Sequence, residues 1–234
     1  MAEKDEPAQA GGEPMVLPGV LMDLGRRDYE ETWALQKQLV AERQANQVRD
    51  TLILVEHPEV ITLGRKASSR DNVLSREIPV VEVERGGDVT YHGPGQLVGY
   101  PILKLAGEER DLHLLLRNIE EGLIGVCAAL GIAGGRRPGW TGVWVGERKL
   151  VSIGIAVRRW VTMHGFALNV ATDLSRFRAI NPCGLDAGVM TSLAELLQRN
   201  ITLAEVKPLV AEQVGKSLGR RFEVAPVPVP VDLG

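Results

Sequence analysis

The segment from Thr141 to Val170 constrains the fold most, because it holds three successive stretches with the short, apolar character of β-strands. The stretches read TGVWV, KLVSIGIAV and HGFALNV, and Gly146-Glu147-Arg148 forms a turn between the first two. Successive strands joined by tight turns pair in an antiparallel manner. We therefore expect a run of antiparallel strands in the second half of the chain.

Helical patterns lie on both sides of these strands. Residues 111–130 carry apolar side chains at spacings of three and four, which predicts an amphipathic helix. Residues 28–47 predict a more charged helix, and the S-x-x-E and T-x-x-E patterns that begin at Ser192 and Thr202 predict the starts of two more. Further strands are expected at 51–56, 60–63, 79–84 and 96–105.

The order of these elements indicates the fold class. Helices alternate with runs of strands rather than with single strands, as strict βαβ order would require. This order favours an α+β (broadly α/β) fold with mixed, largely antiparallel sheets and packed helices. A chain of 234 residues is long enough for one sizeable core. We expect a disordered leader at 1–16, a single folded domain at 17–222 and a proline-rich tail at 223–234.

Charge and hydropathy exclude several classes of protein. The formal net charge of −3 argues against a nucleic-acid binder, which would carry a basic excess. Charged residues interrupt the apolar stretches before the roughly 18 residues that a membrane span needs. The acidic N-terminus does not resemble a secretory signal. We therefore expect a cytoplasmic protein that binds neither nucleic acid nor membrane.

Cysteines and histidines offer no metal or disulfide pattern. The two cysteines do not form a CxxC pair, and the four histidines lie far apart without an HExxH motif. Cys127 falls on the apolar stripe of the 111–130 helix, which indicates a small core residue. Cys183 lies in the loop Asn-Pro-Cys-Gly at 181–184, where a scaffold can present a reactive side chain. On the residues alone, an inert loop thiol is the more common alternative.

A nucleophilic cysteine needs a neighbour that helps it to ionise, because an ordinary thiol has a pKa of about 8.5. Lys149, His92 and His164 are the candidates. Each of these side chains also has an ordinary structural interpretation. A lysine at the start of a strand commonly faces solvent, and a single histidine commonly makes only a local structural hydrogen bond. Sequence position alone does not choose between these roles.

The glycine-rich stretch RGGDVTYHGPGQ at 85–96 is the strongest candidate for a ligand-binding loop. Its glycines allow a backbone to approach a ligand closely. It is not a Walker loop, because no Gly-Lys-Ser/Thr follows, and the dinucleotide pattern G-x-G-x-x-G fails at Val98. A glycine-rich turn between two strands is the alternative.

Taken together, four motifs resemble one family. RGGDVTYHGPGQ at 85–96, GWTGVWVGERKLVSIG at 139–154, HGFALN at 164–169 and NPCG at 181–184 are similar to segments of the octanoyl-acyl-carrier-protein:protein octanoyltransferases of lipoate biosynthesis. The resemblance runs in order from about residue 17 to 220. It implies the catalytic-domain fold of the biotin- and lipoate-protein ligases, with mixed sheets around an acyl pocket.

The resemblance also implies roles for individual residues. Cys183 matches the nucleophile that carries the acyl group as a thioester, and Lys149 matches the lysine that activates it. The segments that match the acyl site are Arg85, Gly86, Gly87, Asp88, Val89, Thr90, Tyr91, His92, Ser152, Ile153, Gly154, His164, Gly165, Phe166 and Ala167. The roles of His92 and His164 within that site stay open.

The implied reaction moves an octanoyl group from octanoyl-acyl carrier protein to a lysine of a lipoyl domain, without ATP or metal. The acceptors would be the lipoyl domains of 2-oxoacid dehydrogenase complexes and the glycine cleavage H protein, and the enzyme would act as a monomer. Arginines near the motifs could receive the acidic carrier, namely Arg136, Arg137, Arg148, Arg158, Arg159, Arg176 and Arg178. The alternatives are an ATP-dependent lipoate- or biotin-protein ligase of the same fold, a non-catalytic acyl- or carrier-binding module, and a Cys/His hydrolase.

Overall fold

An eight-stranded mixed sheet forms the centre of the fold, and a second sheet has three strands. The computed structural model describes residues 16–66, 70–181 and 187–224. The strands are β1 (Leu17–Arg26), β2 (Thr51–Glu56), β3 (Val60–Leu63), β4 (Val80–Glu82), β5 (Val89–His92), β6 (Gln96–Ile102), β7 (Gly135–Arg137), β8 (Trp140–Val145), β9 (Arg148–Arg158), β10 (Val161–Asn169) and β11 (Arg220–Val224). The helices are α1 (Tyr29–Gln44), α2 (Leu112–Ala129), α3 (Leu193–Leu197) and α4 (Leu203–Ser217).

The strand order confirms the predicted α+β class with mixed, largely antiparallel sheets. The large sheet runs β11-β1-β2-β6-β10-β9-β8-β7, and the small sheet runs β4-β3-β5. In the large sheet, β1 pairs in parallel with both β11 and β2, while the other neighbours pair antiparallel. The three strands expected between 141 and 170 form the antiparallel run β8-β9-β10.

The helices cover both faces of the large sheet. The buried stripe of α2, which includes Leu115, Ile119 and Leu123, packs with α4 against one face. Cys127 ends this stripe at 0% exposure, and burial raises the pKa of its thiol to about 11. On the other face, Leu39 and Val40 of α1 pack against β2, β6 and β10. Because both faces are covered, the central strands are buried on both sides, and this explains their continuous apolar sequences.

Side-chain caps begin the helices at the predicted positions. At the start of α4, Thr202 and Glu205 form the reciprocal capping box that the T-x-x-E pattern predicts. At the start of α3, the Ser192 hydroxyl accepts from the Glu195 N–H, but the Glu195 carboxylate binds the Arg148 guanidinium at 2.7 Å. The S-x-x-E pattern at Ser192 therefore provides only half of a capping box, because the Glu195 carboxylate binds a charged partner instead.

Four strands lie where the sequence analysis assigned none. β1 and β11 pair with each other through parallel backbone hydrogen bonds, which sequence periodicity does not reveal. β5 lies inside the glycine-rich stretch, and the short β7 completes one edge of the large sheet. The expected leader lies almost entirely outside the described residues, as does most of the expected tail. Glu223 and Val224, which we expected to begin that tail, belong to β11.

No helix in the described ranges is both long enough and apolar enough to cross a membrane.

Gly165 of β10 should not tolerate a side chain. A Cβ atom there would lie 2.0 Å from the carbonyl oxygen of Gly99 and 2.8 Å from Cδ of Pro101, both on β6. Because backbone atoms give way only if the strands separate, we expect Gly165→Ala to lower the free energy of unfolding by about 1–3 kcal/mol in denaturant titrations. Gly135→Ala is the matched control, since nothing lies within 4 Å of its Cβ position. Equal losses in the two variants would contradict this explanation.

Candidate active site

A cavity of about 590 Å³, its mouth included, lies between the loop before β5 and the strands β6, β9 and β10. Its lining residues are Tyr29, Arg85, Gly87, Asp88, Val89, Thr90, His92, Val98, Tyr100, Lys149, Ser152, Ile153, Gly154, His164, Gly165, Phe166 and Ala167. We call this space the β5–β10 cavity.

The loop at 85–88 forms one wall and is held against the edge of β9. Its Gly86 N–H donates to the Ile155 carbonyl at 2.9 Å. Gly154 permits this approach, since a Cβ atom there would lie 3.0 Å from both the Gly86 carbonyl oxygen and Cδ of Arg85. The Arg85 guanidinium, 7% exposed, donates to the carbonyl oxygen of Thr62 at 2.8 Å and to its hydroxyl at 3.0 Å. This buried cation is therefore fixed by the small sheet.

Asp88 anchors the other end of this loop. Its carboxylate is 2% exposed and accepts from the Asn72 amide at 3.0 Å and from the Val89 N–H at 2.8 Å. Lys66 Nζ lies 3.2 Å from the same carboxylate. A buried carboxylate with several donors is a rigid point in a site, because each donor fixes one lone pair.

Lys149 lies on β9 and lines the cavity with a residue exposure of 6%. Its Nζ is 5.5 Å from the ring centroid of Trp144, its neighbour across β8. The Lys149 carbonyl accepts from the Thr191 N–H at 3.0 Å, and Lys149 also pairs with Met190 in a parallel bridge. The chain that follows the 182–186 segment therefore runs directly beside Lys149.

A cluster of neutral aromatic and imidazole groups lies at the inner part of the cavity and directly behind it. His57 Nδ1 donates to the Arg27 carbonyl at 2.7 Å, and its Nε2 accepts from the Tyr100 hydroxyl at 2.9 Å. Tyr29 stacks on His92 with ring centroids 5.8 Å apart. Burial lowers the pKa of His57 to about 4 and that of His92 to about 3, so both rings are uncharged at neutral pH.

The tautomer of His92 follows from its partner. Gln96 Nε2 donates to the Tyr91 carbonyl and to Asn169 Oδ1, so Gln96 Oε1 is the acceptor for His92 Nδ1 at 2.8 Å. His92 therefore carries its proton on Nδ1.

His164 is 1% exposed and has an unusual backbone conformation for a side-chain-bearing residue, with φ at +59°. Its N–H donates to Gln36 Oε1 at 2.9 Å. Within the described ranges neither ring nitrogen has a hydrogen-bond partner, and Nε2 lies 3.6 Å from Glu84 Oε2, beyond hydrogen-bond length. Burial lowers the pKa of His164 to about 4.

A second space, which we call the β9 groove, adjoins the cavity along the same strand. It encloses about 1060 Å³, its open side included. Its lining residues are Lys66, Gly86, Gly87, Asp88, Leu112, Leu115, Leu116, Gly139, Trp140, Thr141, Lys149, Ile153, Gly154, Ile155 and Val157.

The structure brings most of the expected site residues together. Apart from two residues of the glycine-rich stretch and Cys183, all of them line the β5–β10 cavity. Gly86 lines the β9 groove instead. Tyr91 points to the opposite side of the small sheet, where its ring packs on Phe177 and its hydroxyl donates to Glu59 at 3.0 Å. Cys183 lies outside the described residues.

Several cavity residues were absent from the sequence analysis. Tyr29 and Tyr100 line the cavity, and His57 supports Tyr100 from behind. The sequence carried no pattern that marks them, and their burial is a finding of the structure. All three tyrosines of the chain are at most 3% exposed, and buried tyrosine hydroxyls need partners. Their positions in the sequence did not reveal that two of them converge.

Within the described ranges, no group of three or more His, Cys, Asp and Glu side chains is arranged to hold a metal ion.

Comparison with solved structures defines the class of the fold. A lipoate-protein ligase A bound with ATP superposes with a TM-score of 0.73 at 16% identity, over 90% of each chain. A putative lipoate protein ligase from T. acidophilum with bound lipoic acid gives a TM-score of 0.70 at 15% identity, over 89% of each chain. At such low identity these matches show the fold alone, which is the fold of the lipoate-protein ligases.

The sequence comparisons then identify the family. The family described as the lipoyl protein ligase A/B catalytic domain matches residues 28–215, and the chain belongs to it. A relative from Geobacter metallireducens, named octanoyltransferase, is 53% identical over 192 residues, which cover 82% of this chain and 90% of the relative. Another of the same name, from Gloeobacter violaceus, is 48% identical over 206 residues, 87% of this chain and 92% of the relative. The chain is an enzyme of the acyltransferase class.

The buried histidines should make the fold sensitive to acid. The unfolded chain protonates a histidine near pH 6.5, whereas the folded protein protonates His57 and His164 only near pH 4 and His92 near pH 3. The contribution of these histidines to the free energy of unfolding is therefore fully present above about pH 6.5. It falls as the pH is lowered, by up to roughly 1.4 kcal/mol per pH unit for each histidine.

Denaturant titrations between about pH 6.5 and 4.5 measure this slope. We expect it to be shallower in His92→Gln, which keeps a hydrogen-bond donor toward Gln96 but removes one titrating ring. His113→Gln, on the exposed first turn of α2, is the matched control. An unchanged slope in His92→Gln would show that His92 is not buried in its neutral form.

Proposed function

We propose that this enzyme transfers an octanoyl group from octanoyl-acyl carrier protein to a lysine of a lipoyl domain, through a thioester on Cys183. The relatives that are named octanoyltransferase support the acyl group and the class of reaction. The observation that carries the assignment of Cys183 is that both flanks of the 182–186 segment are hydrogen-bonded toward residues that line the cavity.

The N-terminal flank is connected to Asp88. The Asn181 N–H donates to the Asn72 carbonyl at 2.8 Å, and the Asn72 amide donates to the Asp88 carboxylate at 3.0 Å. On the C-terminal flank, Met190 and Thr191 pair with Lys149. Asp88 and Lys149 both line the cavity. Because the residues that flank the short 182–186 segment on both sides contact this part of the cavity, they support a role for Cys183 next to Lys149.

In the first half-reaction, the Cys183 thiolate attacks the carbonyl carbon of the octanoyl thioester. The new carbon–sulfur bond forms as the bond to the carrier's pantetheine sulfur breaks, and the released thiolate takes up a proton. One thioester replaces another, so this step needs no ATP. A protonated Lys149 would favour the thiolate form of Cys183 through its charge.

In the second half-reaction, the ε-amine of the acceptor lysine attacks the acyl-enzyme. An amide forms, the Cys183 sulfur leaves, and the amine loses a proton to Lys149 in its neutral form. Amide formation from a thioester is downhill and drives the transfer. Backbone N–H groups of the glycine-rich loop are suited to stabilise the tetrahedral oxyanion, because they are fixed before the substrate arrives.

The β5–β10 cavity suits an uncharged acyl chain. Val89, Ile153 and Phe166 present apolar side chains to it. The histidines at its inner part are neutral because burial lowers the pKa of each. Burial of six or seven methylenes at about 0.8 kcal/mol each would contribute roughly 5 kcal/mol before ordering costs.

The remaining expectations belong to the same proposal. The acceptors are the lipoyl domains of 2-oxoacid dehydrogenase complexes and the glycine cleavage H protein, and the enzyme works as a cytoplasmic monomer without ATP or metal. An ATP-dependent ligase shares the fold, but relatives at 48–53% identity named octanoyltransferase favour transfer over ligation.

Mass spectrometry of the intact protein tests the nucleophile. After mixing with octanoyl-carrier protein in the absence of ATP, we expect one octanoyl adduct that hydroxylamine removes and that maps to Cys183. Cys183→Ala should form no adduct.

Cys127→Ala is the matched control, because Cys127 is fully buried and burial raises the pKa of its thiol to about 11. This variant should be acylated like the original protein. Loss of the adduct in Cys127→Ala and its retention in Cys183→Ala would overturn the assignment. A requirement for ATP would favour the ligase alternative.

The Lys149→Met variant tests the partner of the cysteine. A general acid–base group typically contributes about 10²- to 10⁴-fold to a rate, and we expect a loss of that order in both half-reactions near neutral pH. As the pH approaches about 8.5, a free thiol ionises without help, so the rate of enzyme acylation should recover in part. A loss that does not change with pH would indicate that Lys149 has only a structural role.

A further inference from the structure

The β9 groove is a second large space that the proposed acyl transfer does not yet use. Five residues line both it and the β5–β10 cavity, namely Gly87, Asp88, Lys149, Ile153 and Gly154. The two spaces therefore meet at the residues beside which the proposed chemistry takes place. A thioester substrate has two arms that leave its carbonyl carbon in different directions, and two adjoining spaces match this shape.

We propose that the β9 groove binds the pantetheine arm of the donor thioester, while the octanoyl arm occupies the β5–β10 cavity. This inference rests on the proposed function, because it presumes a thioester whose carbonyl carbon lies beside Lys149.

The walls of the groove suit the chemistry of this arm. Leu112 and Leu116 of α2 line one side of the groove. Further apolar lining residues are Trp140, Ile155 and Val157. These apolar groups can cover the methylenes and the geminal methyl groups of pantetheine. Leu112 is 49% exposed in the protein by itself, and an apolar side chain so placed gains from being covered.

The edge of β9 can receive the amides of the arm. From Ser152 to Arg158, β9 pairs with β10 on one side, whereas its pairing with β8 ends at Val151. In the ranges that the structure describes, no other strand continues along this edge. The Gly86 N–H to Ile155 carbonyl bond shows that backbone groups here point toward the loop and the groove. Because the Gly86 N–H already takes the Ile155 carbonyl, an extended ligand with amide groups can hydrogen-bond to the part of this edge beyond Ile155, as an added strand does.

The length of the groove matches that of the arm. Ile153, at the junction with the cavity, and Val157 are four residues apart, roughly 13 Å along a strand. The arm from sulfur to phosphate has about a dozen bonds, which span roughly 15 Å at the spacing of an extended chain. A pantetheine whose sulfur lies at the junction would therefore place its phosphate just beyond Val157.

Positive charge lies at that end. Arg158 and Arg159 follow Val157 directly, are exposed, and occupy the end of β9 and its turn. Within the described ranges no ion pair joins either of them to a carboxylate. By contrast, Arg136, Arg137, Arg148 and Arg176, which we also expected to receive the carrier, are bound to glutamates. Two exposed cations without a carboxylate partner in the described ranges therefore lie where the phosphate and the acidic carrier protein would arrive.

Three donors of increasing length test this assignment. They are octanoyl-N-acetylcysteamine, which lacks most of the arm, octanoyl-pantetheine, and octanoyl-acyl carrier protein. The measurement is the second-order rate constant for acylation of the full-length enzyme without an acceptor, followed by quenched mass spectrometry. The unmodified enzyme should react faster with octanoyl-pantetheine than with the short donor.

Leu112→Asp places a charge in the groove on an exposed position, so the fold should persist. We expect it to reduce the rate constant with octanoyl-pantetheine roughly tenfold, equivalent to about 1.4 kcal/mol, and to leave the rate with the short donor unchanged. The milder Val157→Thr variant should act in the same direction. Leu114→Asp is the matched control, because Leu114 is 43% exposed on the same helix but lines a different pocket. It should change neither rate.

Arg158→Glu should slow acylation by the carrier protein, more so at low salt, and leave the rate of acylation by octanoyl-pantetheine unaffected.

The inference is overturned if Leu112→Asp slows acylation by both small donors equally, which would place the acyl chain in the groove. It is also overturned if that variant raises only the KM for the lipoyl domain, which would make the groove the acceptor's site. If the unmodified enzyme reacts equally with both small donors, the groove assignment alone fails. If it reacts with none of the three, the proposed function fails.

Discussion

The hydrogen bond from the Gly86 N–H to the Ile155 carbonyl joins the glycine-rich loop of the small sheet to the edge of the large one. The candidate site depends on it, because this contact closes the β5–β10 cavity on one side and forms a wall of the β9 groove on the other. Gly154 makes the contact possible, since a Cβ atom there would lie 3.0 Å from the Gly86 carbonyl oxygen. A strand edge without a further strand partner thus becomes the place where two binding spaces meet.

The histidines at the site are neutral. His92 and His164 line the inner part of the cavity, His57 supports Tyr100 behind it, and burial lowers the pKa of each well below neutral. The lining also includes the Arg85 cation, which donates to the Thr62 carbonyl of the small sheet. The junction with the groove contains Asp88 and Lys149. In the proposed reaction, the apolar acyl chain would lie toward the neutral histidines and the ionising thiol would lie beside Lys149.

Sequence patterns predicted the elements whose stability depends on local periodicity. The helix α2, the antiparallel run β8-β9-β10 and the capping box at Thr202 are where the patterns indicated. The patterns missed β1 and β11, because parallel pairing joins the two ends of the described chain and leaves no local signal. They also missed β5, whose strand residues lie between glycines that suggested a loop.

The sequence by itself determined the fold class, the family resemblance and most of the residues that line the cavity. It also determined that Cys127 belongs to the core, since its position on the α2 stripe is a matter of helical spacing. Only the tertiary structure decided that Tyr91 faces away from the cavity, that Tyr29 and Tyr100 line it, and that a groove continues from it along β9. The physical reason is that side-chain direction and the meeting of distant segments depend on sheet pairing, which periodicity along one chain does not encode.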